Sequence, residues 1–268
     1  MGKKIGFIGC GNMGGAIVSG LTGSGFHSNE DIIISEINDK IAANLEAKLK
    51  VKTITNNKEV TRVSDILFIA VKPNMYKKVI EEIKSELTRE KLIITIAAGI
   101  TIENMEYWVG EGYKIVRTMP NTPGLVGAGM SAVCANKNVG KEEVDYVLDI
   151  FSSFGQCLEL EEKYFHAATA LSGSSPAYVF MFIEAMADAA VALGIPRTTA
   201  YIMASQSVLG SAKMVLETGK HPGELKDMVC SPGGTTIAAV IELEKRGLRS
   251  AIIEGVLKCA EKSARMQN

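Results

Sequence analysis

Six short clusters hold most of the residues whose types and spacing could do chemistry. The first, Gly9-Cys10-Gly11-Asn12-Met13-Gly14, follows an apolar run and opens onto a helical pattern. With a strand before it and a helix behind it, each glycine has a task. Gly9 permits the tight turn, Gly11 lets the backbone approach a pyrophosphate, and Gly14 lets the helix lie close against the strand. An anion held there meets unpaired helix N–H groups and the positive end of the helix dipole. This is dinucleotide-binding chemistry.

The group that reads the adenosine ribose is expected about 20 residues further on, at the end of a second strand. That stretch reads Ser35-Glu36-Ile37-Asn38. Glu36 as an acceptor from a ribose 2′-hydroxyl points to NADH, whereas Ser35, Asn38 and Lys40 as hosts of a 2′-phosphate point to NADPH. Glu36 as a solvated first-turn residue of the next helix is a third reading, and all three stay open. Two later strand exits, Val71-Lys72-Pro73-Asn74 and Ala97-Ala98-Gly99, point at the same crevice, because ligands of open α/β sheets bind beyond the carboxyl ends of the strands. Lys72 offers a cation to a ribose or phosphate, and the small residues 97 to 99 let a nucleotide lie on the backbone. The plain alternative for Lys72 is a surface lysine at a proline-bounded strand exit.

Met119-Pro120-Asn121, within the segment RTMPNTP, is rigid enough for a wall beside a nicotinamide ring, or is a simple turn. The last cluster is Ser231-Pro232-Gly233-Gly234-Thr235-Thr236. It predicts a helix with Ser231 as N-cap and Pro232 as first residue, ending at Gly247. Two glycines in a first turn cost about 1 kcal/mol each relative to alanine. Their benefit is an open helix N-terminus for a carboxylate, with the Thr235 and Thr236 hydroxyls beside it. Cys230, directly before this loop, is either a packed thiol or a site of oxidative inhibition. His27, His166 and His221 lie outside every cluster, and none of the clusters carries a carboxylic acid at an acid/base position. Ketone reduction calls for a positioned proton donor. An imine arrives protonated, so the set leans toward reduction of a C=N bond.

The elements that must position these residues follow from the apolar patterning. From Lys3 to about Leu160 the runs IGFIG, DIIIS, DILFIAV, LIITIAA, KIVRTM and SAVCA alternate with amphipathic stretches, which predicts an α/β fold with a parallel, doubly wound, Rossmann-type sheet. After about Glu161 the pattern turns helical. Residues 1–160 are therefore expected to bind dinucleotide, and residues 161–268 to form an all-helical C-terminal domain for substrate binding and dimerisation. The helix after Pro176 is apolar nearly all round, which predicts that a second subunit covers it. Glu184 and Asp188 within it argue against a bilayer span. The chain has 268 residues with 29 Lys+Arg against 30 Asp+Glu, a balance that disfavours nucleic acid as a partner. The N-terminus has no secretory pattern, so the expected location is cytoplasmic. Five scattered cysteines give neither a disulfide framework nor a metal site.

Over essentially its whole length the chain resembles the pyrroline-5-carboxylate reductase family. FIGCGNMG, AVKPN, RTMPNTP, SGSSPAY and SPGGTT occur in that family's order and spacing. Ser175 departs from it, where the family usually has glycine, as does Met228, where some members carry a polar side chain. The resemblance implies reduction of (S)-1-pyrroline-5-carboxylate to L-proline with NADPH or NADH, the last step of proline biosynthesis. It adds Asn56 to the nucleotide contacts already named and places the substrate on Ser231, Gly233, Gly234, Thr235 and Thr236; in the mechanism expected from this, hydride passes directly to the imine carbon and Thr236 hydrogen-bonds the ring nitrogen. It also implies a homodimer through the helical domain, and such dimers often assemble further into decamers. The runner-up reading is a β-hydroxyacid dehydrogenase, although SGSSPAY offers no lysine donor. A non-catalytic dinucleotide sensor is the reading from another class, although such a sensor has no need of the SPGGTT loop.

Overall fold

The structure, a computed structural model, describes residues 2–266. Among them the chain runs β1 (Ile5–Ile8), α1 (Asn12–Gly23), β2 (Ile32–Ser35), α2 (Asp39–Leu49), β3 (Lys52–Ile54), α3 (Asn57–Val63), β4 (Ile66–Ile69) and α4 (Tyr76–Ile83). It continues through β5 (Leu92–Thr95), α5 (Ile102–Val109), β6 (Lys114–Met119), β7 (Gly129–Ala135), α6 (Lys141–Ser152) and β8 (Gly155–Glu159). Helices follow: α7 (Phe165–Ala168), a π-helical turn (Thr169–Gly173), α8 (Ser175–Ala192), α9 (Arg197–Thr218), α10 (Pro222–Val229), α11 (Thr235–Lys245) and α12 (Leu248–Arg265).

The strands form one sheet in the order β3-β2-β1-β4-β5-β6-β7-β8. The order reverses between β1 and β4, which pair in parallel from Ile5 against Ile66 to Ile8 against Ile69. Successive side chains point to opposite faces. Ile5, Phe7, Ile66 and Phe68 enter a core shared with Ile17 and Leu21 of α1 and Phe151 of α6, where the Phe7 and Phe68 rings stack at 4.6 Å. Ile8, Leu67 and Ile69 enter a second core shared with Val60 of α3, Val79 and Ile83 of α4, and Met105 of α5. Burial on both faces accounts for strands that are apolar at every position.

Two features correct the expectation of a wholly parallel sheet. β7 runs antiparallel to β6, and β8, parallel to β7, shares that reversed direction. The cause is the connection at residues 120–128, which holds a 3-10 turn (Thr122–Val126) with a proline in its first turn and no crossover helix. A parallel return needs a crossover of a dozen or more residues. β3 and β8 were not among the expected strands; both are at the sheet's edges and partly exposed.

By contacts the chain divides into residues 1–174 with 259–268, and residues 175–258. The sheet's unit reaches past Leu160 because Phe165 and Ala168 pack against Ala132 of β7, with the buried Arg117 lying over the Phe165 ring at 4.7 Å. In the other unit α8 and α9 pack along each other, with Arg197 held to Asp188 at 2.5 Å. Phe180 and Met181 are 62% and 69% exposed, and Ala187 is the one residue of α8 that the chain buries. The run Glu162–Ala192 is long and apolar enough to cross a membrane by length and composition.

Candidate active site

The glycine turn sits at the carboxyl end of β1, where the strand order reverses. Gly9 adopts φ +77°, and its N–H donates to the Ser35 carbonyl at 2.8 Å. A Cβ at Gly9 would come within 2.8 Å of Val71 and 3.1 Å of the Ala70 carbonyl, so the β1 and β4 exits touch there. A Cβ at Gly14 would stand 3.3 Å from that of Ala70, which is the close helix-to-strand approach the third glycine serves. At Gly11, the N-cap of α1, a Cβ would meet nothing within 4 Å. The open side of that glycine, and the first-turn N–H groups of Asn12, Met13 and Gly14, form a cradle that a pyrophosphate fits. Burial pushes the Cys10 thiol up to about 12, with the Glu36 carboxylate adding to the effect, so Cys10 stays a protonated packing residue.

At the end of β2 the structure revises the sequence reading. Ser35 is 2% exposed, and its hydroxyl donates to Asn57 Oδ1 at 2.6 Å rather than standing free for a phosphate. Asn57 Nδ2 in turn donates to Glu82 at 3.0 Å. Asn56 is the N-cap of α3, its oxygen accepting from the Glu59 N–H at 3.1 Å. The Asn56 oxygen is thus committed to the helix, and the neighbouring Asn57 is the side chain joined to Ser35. Only an Asn-Asn pair at the α3 start marked this region in the sequence, and a pair does not say which member caps. Asn38 caps α2, accepting from the N–H groups of Lys40 and Ile41. Glu36 is half-buried, and its carboxylate accepts from the Asn38 N–H at 3.1 Å.

Lys72, Pro73 and Asn74 are exposed at the β4 exit and Val71 is half-buried. Behind them lies a residue that sequence reasoning missed. Tyr76 is fully buried; its hydroxyl donates to the Ile69 carbonyl at 2.5 Å and accepts from Thr95 at 2.9 Å. Thr118 donates to the Thr95 carbonyl at 3.0 Å, so hydroxyls tie together the carboxyl ends of β4, β5 and β6. Burial raises the Tyr76 phenol far above its usual range and keeps it neutral. Ala97 and Gly99 are buried and Ala98 half-buried, with Gly99 at φ +82°.

Met119 and Pro120 lie at the β6 exit. Asn121 is 7% exposed and engaged at both ends of its amide: its Nδ2 donates to the Ser172 carbonyl at 2.9 Å and its Oδ1 accepts from the Met130 N–H at 2.9 Å. It is a clamp between the strand exit and the π-helical turn, rather than a side chain free to meet a cofactor. Arg117 is 3% exposed and pairs at 2.8 Å with Glu162, whose carboxylate also accepts from the Ile102 N–H.

Ser231 to Thr236 belong to the unit 175–258. The helix starts later than expected: α11 begins at Thr235, with Gly234 as N-cap and no side-chain cap. Ser231 instead opens a turn, its carbonyl accepting from the Gly234 N–H at 3.0 Å. Gly233 takes φ +68°, and a Cβ on Gly234 would strike the Ser231 hydroxyl at 2.3 Å. Both glycines precede the helix, so the expected helix-propensity cost does not arise. The Thr235, Thr236 and Ile237 N–H groups form an uncapped helix start, with Thr235 exposed and Thr236 half-buried. Gly247, at φ +74°, follows the helix end as expected. Ser175 is the first residue of α8, and Met228 is 62% exposed at the end of α10.

A family model described as pyrroline-5-carboxylate reductase dimerisation matches residues 162–266, and one described as NADP oxidoreductase coenzyme F420-dependent matches residues 4–99. The chain is 52% identical over 267 residues to pyrroline-5-carboxylate reductase of Escherichia coli (strain K12), covering 99% of both chains. It is 44% identical over 261 residues to that of Methanosarcina acetivorans, covering 97% of both. The crystal structure of Plasmodium falciparum pyrroline carboxylate reductase with NADP bound matches with a TM-score of 0.91 at 37% identity, over 99% of this chain and 98% of that one.

Proposed function

The chain belongs to the pyrroline-5-carboxylate reductase family and is an NAD(P)H-dependent oxidoreductase of that activity; from this premise we propose which of its residues carry the reduction of (S)-1-pyrroline-5-carboxylate to L-proline. The observation that carries the reading is the Gly9–Gly14 turn, tight at two glycines and open at the third. The bound nicotinamide nucleotide supplies a hydride to the imine carbon. The N–H groups of Gly11 to Gly14 hold its pyrophosphate, Lys72 and Asn74 flank it at the β4 exit, and Ala97, Ala98 and Gly99 keep that side low. Met119 and Pro120 form the wall near the reacting ring, which Asn121 and Tyr76 hold in place through the hydrogen bonds described above.

The substrate carboxylate is received by the N–H groups of the Ser231–Thr236 segment, where Thr235 and Thr236 start α11 without a side-chain cap. Thr236 hydrogen-bonds the ring nitrogen, which arrives protonated and becomes the amine when the carbon accepts the hydride. No side-chain acid is needed, and catalysis is mainly positioning. Residues 1–160 are the cofactor part, and residues 161–268 the substrate-binding and dimerisation part. The apolar face of α8 is the interface of a homodimer; further assembly to a decamer, a cytoplasmic location, and no membrane or nucleic-acid partner are proposed with it.

The test is oxidation of NADPH and, separately, NADH with and without pyrroline-5-carboxylate. Turnover that requires the imine is expected. A folded protein that binds nucleotide yet leaves it unoxidised in the presence of substrate overturns the reading.

A further inference from the structure

The end of β2 carries a chain of side chains whose hydrogen-bond directions are fixed by chemistry. The Glu82 carboxylate can only accept, so the amide it meets at 3.0 Å must be the Nδ2 side of Asn57. That leaves Oδ1 facing Ser35 at 2.6 Å, and an amide oxygen can only accept. The single proton of the Ser35 hydroxyl is therefore spent inward on Asn57. Anything that approaches Ser35 from the crevice meets lone pairs.

The neighbouring groups share this polarity. Glu36 is a half-buried carboxylate whose charge reaches the glycine turn, where it acts on Cys10. The start of α2, which would otherwise attract an anion, is already satisfied: Asn38 Oδ1 accepts from the Lys40 and Ile41 N–H groups at 3.0 and 3.2 Å. Asp39 adds a second carboxylate in that first turn, and the exposed Lys40 side chain is the cation beside it. A ribose 2′-hydroxyl, a donor, finds acceptors here. A 2′-phosphate, an acceptor with negative charge, finds lone pairs and carboxylates.

Resting on the cofactor reading above, we propose that the Ser35–Asn57–Glu82 relay together with Glu36 selects a nicotinamide nucleotide with a free 2′-hydroxyl, so that this chain prefers NADH to NADPH. Glu36 is the residue that touches the ribose, and Asn57 and Glu82 are positioning residues that set the direction of the Ser35 hydroxyl.

The test is direct binding, independent of turnover. NADH and NADPH are titrated by nicotinamide fluorescence on the full chain, and 5′-AMP against 2′,5′-ADP by calorimetry. NADH should bind at least about tenfold more tightly than NADPH, the difference between one charge-assisted hydrogen bond and its loss. Glu36→Gln should bring the two dissociation constants to within about threefold by removing the repelling charge. Glu82→Gln lets the Asn57 amide turn and free the Ser35 proton; it should shift the ratio in the same direction by a smaller factor while the melting temperature stays put. Tighter or equal binding of NADPH by the wild type overturns the proposal, as does a ratio that Glu36→Gln leaves unmoved. Failure to bind either nucleotide overturns the cofactor reading as well, so the two failures are told apart.

Discussion

The two units differ in how they bury apolar side chains. The sheet's unit has an interior of its own, with Phe7, Phe68, Tyr76, Phe151 and Phe165 all fully buried within one chain. In the unit 175–258, α8 and α9 bury only Ala187, Ala200 and Ala204, while Phe180, Met181, Ile202 and Met203 are more than half exposed. Hydrophobic burial is the main favourable term in folding. One unit gains it intramolecularly, and the other must gain it from a second copy. A solvated helix that is apolar all round therefore reads as an interface still waiting for its partner.

The sharpest way to break this comparison is to charge the face that awaits a partner. Phe180→Asp combined with Met181→Asp should raise the dimer dissociation constant by about a thousandfold, the equivalent of two interface hot spots. Light scattering should then show monomer at micromolar concentration and turnover should collapse, whereas nucleotide titration of the sheet's unit should be nearly unchanged. A variant that remains dimeric removes α8 from the interface. Next in size is Thr236→Ala, expected to lower kcat/KM by about ten- to a hundredfold for one hydrogen bond that strengthens in the transition state. Steady-state kinetics check it, and unchanged values would take Thr236 out of the mechanism.

Within the sheet's unit, two glycines of one turn should separate binding from stability. Gly11→Ala puts a methyl group into open space, so the melting temperature should hold while nucleotide affinity falls by about tenfold. Gly14→Ala presses on Ala70 at 3.3 Å and should cost about 1 kcal/mol of stability. Denaturant melts and fluorescence titrations of both variants distinguish the two roles. The smallest effect is the pH dependence of His27, which contacts Tyr146 and is pushed by burial below its usual 6.5, against the pull of Asp31. With the folded value depressed, the unfolded chain takes up the proton first, so stability is full above 6.5 and declines as pH falls through the folded value. His27→Gln should flatten that part of the profile in chemical melts.

What was legible in the sequence follows the same division. Strands buried on both faces show as unbroken Ile, Val, Leu and Phe, and the glycine turn shows because Gly9 needs a positive φ and Gly14 a close approach to Ala70. β3, at an edge and partly exposed, has a weak apolar signal, and an apolar run carries no direction, which is how the reversal at β7 escaped notice. It could have been read from the nine-residue connection at 120–128, too short for a crossover. In the candidate site the backbone tasks were visible and the side-chain partners were not. Ser35 and Asn121 looked free to meet a ligand, but each is consumed by a long-range partner, Asn57 and Ser172. Tyr76 carries no signal in the sequence, because nothing local reveals that its hydroxyl reaches two strand ends. The helix start at Thr235 was misplaced because a Ser-Pro pair is a common N-terminal signal, whereas Gly233 at φ +68° delays the helix.

The exposed apolar face of α8 also sets a reaction order. A chain whose helical part is completed only by a second copy refolds in two stages, a unimolecular one for the sheet and a bimolecular one for the helices. Recovery of activity after denaturation should therefore slow in proportion to dilution, and the midpoint of thermal inactivation should climb with protein concentration. For such a chain the amount present in the cell is itself a stabilising variable, and dilution acts as a mild denaturant.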